Sequence, residues 1–178
     1  MAKQTIWVLR HTSVAVTPGV CYGATDVDLQ PTFPTEVETI RENLQGIPFE
    51  AFFSSPLSRA TRLAQALGYQ PIIDPRLREQ SFGDWEMQRY DQITDPQLEA
   101  WYQDYINVRP TGGESFAEVV QRVGSFIEEI RTLGPTHTLL FAHGGIQMAV
   151  GAYLDLYPIY DAPQHYGTYG SLLCYTLT

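Results

Sequence analysis

Lysine is almost absent. Lys3 is the only one in 178 residues, and ten arginines supply the rest of the positive charge against 20 acidic side chains, for a net charge of −9. A protein that coats a nucleic-acid backbone needs a basic face, and this composition has little from which to build one. Anionic membrane surfaces are unsuited as partners for the same reason. No apolar run approaches the length of a membrane span. The opening Met-Ala-Lys-Gln-Thr lacks the long apolar run and small-residue cleavage site of a secretory signal, so a cytoplasmic protein is expected. Cysteine is scarce too. Cys21 and Cys174 are far apart and form no CxxC pair, which points to two reduced thiols and not a disulfide scaffold. Four histidines and two cysteines show no zinc-like spacing, so no metal site is expected. There is no Gly-Lys-Ser/Thr loop and no GxGxxG after a strand, so the nucleotide-binding signatures are missing. A small anionic substrate stays open, because it needs only a few arginines converging in a pocket.

What is present is an alternation of strand and helix patterns without repeats, low-complexity tracts or linkers. The length suits a single domain over 1–178. Ile6-Trp7-Val8-Leu9 is a short apolar run that stops at Arg10-His11, the mark of a buried strand. Thr35 and Glu38 have capping-box spacing ahead of Val37, Ile40 and Leu44, and Gly46 closes that helix. Ala51–Ser54 reads as a second strand. Ser55-Pro56 reads as a helix start with Pro at the first position, followed by a face of Ala60, Leu63, Ala64 and Leu67. Pro71–Ile73 is a short strand. Ser115 and Glu118 cap a long amphipathic helix that runs through Ile130. Thr138–Ala142 is a buried strand ending at His143-Gly144-Gly145, with a helix behind it, and 171–178 is the last strand. This order predicts a three-layer α/β/α sandwich around a mostly parallel sheet. The aromatic-rich stretch 83–113, with one helix opened by Asp95-Pro96, reads either as a lid-like insertion or as a helical excursion packed on the core.

Two strands therefore end in titratable clusters, Arg10-His11 and His143-Gly144-Gly145. Sites in open α/β sheets form at the carboxyl ends of strands, so adjacent parallel strands would face the two histidines towards each other. Arg59 and Arg62 lie three apart at the start of a helix, whose N-terminus favours anions. Arg59 is taken as functional and Arg62 as a solvated edge. Glu79 lies beside aromatics and a glycine turn in Leu77-Arg78-Glu79-Gln80-Ser81-Phe82-Gly83-Asp84-Trp85-Glu86, where a partly buried carboxyl could serve as a general acid. Composition alone leaves open a merely solvated glutamate, and leaves Glu86 as a rival.

Arg10-His11, Arg59 in Ser54-Ser55-Pro56-Leu57-Ser58-Arg59-Ala60, Glu79 in Leu-Arg-Glu-x-x-Phe-Gly-x-Trp-Glu, Gly112-Gly113-Glu114-Ser115 and His143-Gly144-Gly145 occur in that order. This ordered set resembles the histidine phosphatase (phosphoglycerate mutase-like) superfamily over nearly the whole chain. The resemblance implies a metal-independent phosphomonoester hydrolase without a cofactor. His11 would attack phosphorus and become phosphorylated. Arg10, Arg59 and His143 would surround the phosphoryl oxygens, and Glu79 would protonate the leaving alcohol. The sequence departs from the family at Thr12, where Gly is usual, at Thr17, where Asn is usual, and at Met87, where Gly is usual. Thr12, Thr17, Tyr22, Gly23, Arg59, Arg10 and Gly144 are the expected substrate contacts.

The segments Arg10–Val14 and Gly19–Leu29 resemble the α-ribazole phosphatase branch, which implies α-ribazole 5′-phosphate as substrate and a place in cobalamin nucleotide-loop assembly. Tyr22, Tyr166 or Tyr169 could stack on a flat base, or could be ordinary filler. A broad-specificity or sugar-phosphate phosphatase would share every catalytic residue. So would a phosphoglycerate mutase, although that branch typically has a longer chain. A non-catalytic phospholigand-binding module is the alternative from another class.

Overall fold

In the computed structural model, residues 3–177 are described. Five strands form one sheet in the order β3-β2-β4-β1-β5. They are β1 (Gln4–Arg10), β2 (Ala51–Ser54), β3 (Ile72–Ile73), β4 (His137–Ala142) and β5 (Leu172–Leu177). β1 pairs with β4, β4 with β2, and β2 with β3, all parallel, while β5 pairs antiparallel to β1 at the edge. Position 178 of the last expected strand lies outside the described residues.

The central strands carry apolar side chains on both faces, as a sheet covered on both sides requires. Alternation divides them. Ile6, Val8, Leu140 and Ala142 pack with α4 (Phe116–Leu133) and α5 (Gly144–Tyr153). Leu9, Leu139 and Phe141 pack with α1 (Phe33–Asn43) and α2 (Ser58–Ala66). Three layers result, with two cores of fully buried aliphatic and aromatic groups. Each fully buried Leu or Ile stabilises the fold by about 1.5–3 kcal/mol before chain entropy is subtracted.

Ser115 and Glu118 form the reciprocal capping box at the start of α4, and Gly134 ends that helix in the left-handed conformation at φ 84°. Two helix starts differ from the sequence reading. α1 begins at Phe33, with Thr32 as N-cap and Pro34 in its first turn, so Thr35 is inside the helix and caps nothing. Pro34 sets φ for the first turn, and the Glu36 carboxylate accepts from the Thr32 hydroxyl at 2.6 Å. α2 begins at Ser58, later than Ser55-Pro56, because Leu57 is extended at ψ 138° and serves as the N-cap.

The 83–113 stretch has its own small core. Trp85 is buried against Cys21 and Ile93, and its indole N–H donates to Asp95 at 2.7 Å. Cys21 is tied to the same stretch by backbone bonds to Gln88 (2.9 Å) and Met87 (2.6 Å). The helix expected after Asp95-Pro96 is α3 (Gln97–Gln103), and the Asp95 carboxylate accepts from the Gln97 N–H at 2.9 Å.

Candidate active site

The β1–β4 register places Arg10 opposite Ala142, so the residues that follow, His11 and His143, emerge side by side at the carboxyl end of the sheet. Their ring centroids are 5.2 Å apart at 62°. His11 is 1% exposed and His143 is fully buried.

Both rings are anchored by hydrogen bonds, and a carbonyl partner fixes the tautomer of His11. His11 Nδ1 lies 2.7 Å from the Thr12 carbonyl oxygen, which can only accept, so Nδ1 carries the proton and Nε2 keeps its lone pair. Burial, followed by the charges of Arg59 and Arg10, drives the His11 pKa down to about 3 against a smaller opposing pull from the Thr12 carbonyl. The ring is neutral and nucleophilic at any ordinary pH.

His143 Nε2 lies 2.7 Å from Ser55 Oγ. That oxygen also accepts from the Leu57 backbone N–H at 3.2 Å, which leaves it a second lone pair and its own hydrogen for His143. His143 Nδ1 is buried without a protein partner. Burial and the nearby His11, Arg59, Arg122 and Arg10 hold the His143 pKa well below its usual value.

Two guanidinium groups frame the pair. Arg59, in the first turn of α2, is fully buried, and it donates to the carbonyls of Thr25 (2.8 Å) and Gly23 (2.6 Å). Neutral carbonyls orient it, so no carboxylate within salt-bridge distance consumes its charge among the described residues. Burial lowers its pKa, and Glu79 pulls it back up. Arg10 donates to the Gly167 carbonyl at 2.7 Å and lies 4.2 Å from the Tyr169 ring centre and 5.3 Å from that of Tyr166. Both arginines keep a buried Nε without a protein partner. Arg62 turns outward to Asp28 at 3.6 Å, a solvated edge as the sequence suggested.

Glu79 reaches the first turn of α5. Its carboxylate accepts from the Gly145 N–H at 3.1 Å and from the Gln80 N–H at 2.9 Å. A Cβ at position 145 would collide with that carboxylate, so glycine there lets the acid approach the helix N-terminus. Glu86 is occupied differently. It accepts from the N–H groups of Ala24 (3.1 Å) and Phe82 (2.8 Å) and from the Thr25 hydroxyl. It thereby braces the loop whose carbonyls hold Arg59.

The other expected contacts divide. Thr12 is buried beside His11 with its hydroxyl unpartnered. Gly23 sits at φ 46° where a side chain would strike Glu86, Gln80 and Phe82. A Cβ at Gly144 would lie 3.2 Å from Tyr166 and 3.4 Å from Arg10, so that position also bears on the pocket. Tyr22 lies 5.1 Å from Arg59 and its hydroxyl is 3.0 Å from that of Tyr169. Thr17 lines an adjoining groove with Tyr22 and Tyr169. Sequence reasoning missed Ser55, whose Ser-Pro context resembled a helix start. It also missed the close approach of Glu79 to Gly145. Met87, where the family has glycine, holds φ at 64° and is half exposed. Among the described residues, no three His, Cys, Asp or Glu side chains gather as a metal-binding group, and no helix is long and apolar enough to cross a membrane.

The model of the histidine phosphatase superfamily (branch 1) matches residues 6–177. The chain belongs to this superfamily. Within it, the chain is 30% identical over 150 residues to the adenosylcobalamin/α-ribazole phosphatase of Salmonella typhimurium, covering 79% of this chain and 74% of that protein. The crystal structure of the α-ribazole phosphatase from Shigella flexneri superposes with a TM-score of 0.86 over 96% of this chain and 89% of that one, at 24% identity, and shows the shared fold. A mycobacterial glucosyl-3-phosphoglycerate phosphatase superposes with a TM-score of 0.84 at 25% identity, over 97% of this chain and 89% of its own. Phosphatases named for different substrates thus share this framework, so the fold by itself does not name a substrate.

Proposed function

We propose that the protein is a metal-independent phosphomonoester hydrolase that works through a phosphohistidine on His11. One observation carries this reading. His11, with Nδ1 committed to the Thr12 carbonyl and the lone pair left on Nε2, lies beside His143, whose Nδ1 has no partner, and within the field of Arg10 and Arg59, each of which keeps an unpartnered Nε. A phosphoryl group there would meet one nucleophile and three sources of hydrogen bonds or positive charge, which stabilise the charge that redistributes in transfer.

In the first step His11 Nε2 forms a bond to phosphorus as the ester P–O bond breaks. The leaving oxygen takes a proton from the Glu79 carboxyl. In the second step a water oxygen attacks phosphorus, Glu79 takes a proton from that water, and the P–N bond breaks to regenerate neutral His11. The arginines supply the cationic charge throughout. A bound phosphate dianion would favour a protonated His143, while His11 stays neutral beside the same arginines.

The similarity to the Salmonella relative supports α-ribazole 5′-phosphate as the substrate, a reaction that would belong to cobalamin nucleotide-loop assembly. The mycobacterial structure supports a second reading, a sugar-phosphate or broad-specificity phosphatase with the same chemistry. Phosphate release in EDTA separates them, measured on α-ribazole 5′-phosphate, 3-phosphoglycerate, fructose 2,6-bisphosphate and an aryl phosphate, with His11→Ala as control. A strong preference for the ribazole ester supports the first reading. Similar rates on all esters support the second. Absence of His11-dependent release from every ester would leave a phospholigand-binding module.

A further inference from the structure

The nucleophile cannot be reached as it stands. His11 is 1% exposed, and the rings of Tyr22 and Tyr169 cover the approach, joined by a hydroxyl–hydroxyl contact of 3.0 Å. Tyr169 lies 5.5 Å from the His11 ring, and Tyr22 lies over Arg59. This bridge is one hydrogen bond at the exposed surface, worth on the order of its net value in water and so easily exchanged.

Beyond the bridge lies a groove of about 580 Å³, within the size range of small-molecule pockets. Tyr22 and Tyr169 are part of its lining, and Tyr169 joins it to the His11 ring. Val14, Val16, Pro18 and Val20 supply apolar wall, and Ser13, Thr17 and Gln30 supply neutral hydrogen-bonding groups. None of the described lining residues is charged. Arg10 and Arg59 stand behind the two tyrosines, where the transferred phosphoryl group would engage them, and the other nearby charges are already engaged or of the wrong sign. Glu36 stands behind the wall, where it accepts from the Ser13 N–H and hydroxyl, and Arg89 at the rim is paired with Asp91.

Resting on the phosphatase reading above, we propose that this groove is the leaving-group subsite, that the Tyr22–Tyr169 bridge parts to admit the ester, and that the subsite selects an uncharged, flat leaving group of nucleoside size. A leaving group with a carboxylate or second phosphate would have to desolvate its charge without a cation to receive it. A flat neutral group buries its faces against the valines and the tyrosine rings.

The test compares kcat/KM for a nucleoside-type 5′-phosphate, 3-phosphoglycerate and phenyl phosphate in wild type, Val16→Arg, Val16→Leu and Tyr169→Phe. Val16→Arg puts a cation in the groove. Its ratio of nucleoside phosphate to phenyl phosphate is expected to fall at least tenfold, and its ratio of 3-phosphoglycerate to nucleoside phosphate to rise at least tenfold. Val16→Leu only narrows the groove and keeps the fold should the arginine not be tolerated; the first ratio falls and the second does not rise. Tyr169→Phe removes the bridge and lowers KM for the nucleoside phosphate. Unaltered ratios in folded Val16 variants that still hydrolyse phenyl phosphate would overturn the subsite and leave the phosphatase reading intact. Wild type inert on all three esters would overturn the phosphatase reading itself.

Discussion

Ser55 Oγ lies 2.7 Å from His143 Nε2, and this contact anchors the ring of the second histidine. With the Leu57 N–H filling one acceptor site of Ser55, the hydroxyl can give its hydrogen to Nε2 or accept one from it, so it couples to the His143 tautomer. Ser55→Ala removes that constraint. We expect kcat/KM to fall roughly tenfold to a hundredfold, towards the cost of losing one charge-stabilising donor. Nitrogen NMR shifts should report a change in the His143 tautomer population. A variant with wild-type activity and an unchanged tautomer would remove Ser55 from the account.

Glu79 and Glu86 should separate by leaving group. Glu79→Gln is expected to slow esters of poor leaving groups far more than activated aryl esters, while phosphate still binds. Glu86→Gln disturbs the Gly23–Thr25 loop that orients Arg59, so it should weaken phosphate binding and slow both ester types alike. Equal losses on both esters for Glu79→Gln would count against its role as acid. Gly145→Ala should reproduce the Glu79→Gln pattern, because its methyl group displaces the Glu79 carboxylate.

Stability should depend on pH through His11. Its folded pKa of about 3 lies below its unfolded value of 6.5, so the unfolded chain binds more protons between these limits. Neutral His11 therefore costs no stability above pH 6.5, and a cost grows as pH falls from there towards 3. At pH 5 it is about 2 kcal/mol. Denaturant unfolding of His11→Gln should show about 2 kcal/mol less loss than wild type between pH 7.5 and pH 5. Parallel losses in the two proteins would contradict the depressed pKa.

Met87 occupies a left-handed backbone position with a half-exposed side chain. Met87→Gly should raise unfolding stability by up to about 1 kcal/mol, since relief of the backbone strain outweighs the added freedom of the unfolded chain. A fall in stability would mean that the Met87 side chain contributes packing that its exposure does not suggest.

The sheet and its active edge were legible because β1 and β4 are unbroken apolar runs, each ending in a histidine. Parallel pairing then had to bring His11 and His143 together. Arg59 could be told from Arg62 only weakly on sequence, since both share a helix face. Burial under the Gly23–Thr25 carbonyls separates them in the fold. Ser55 was illegible, because its partners Leu57 and His143 include one that is distant in sequence, while the local Ser-Pro pattern imitates a helix start. The Tyr22–Tyr169 bridge joins residues 147 positions apart, and no local periodicity encodes such a contact. Thr17, expected as a substrate contact from its position in the motif, lines the groove with Tyr22 and Tyr169.

The central claim is that His11 carries the phosphoryl group. The direct measurement is a rapid alkaline quench during turnover of an aryl phosphate, followed by peptide mass spectrometry. The account predicts one phosphoryl group on the peptide containing His11, linked through Nε2. It should accumulate further in Glu79→Gln with an activated ester and be absent in His11→Ala. Continued phosphate release with no phosphorylated His11 peptide, or with the label on His143, would contradict it.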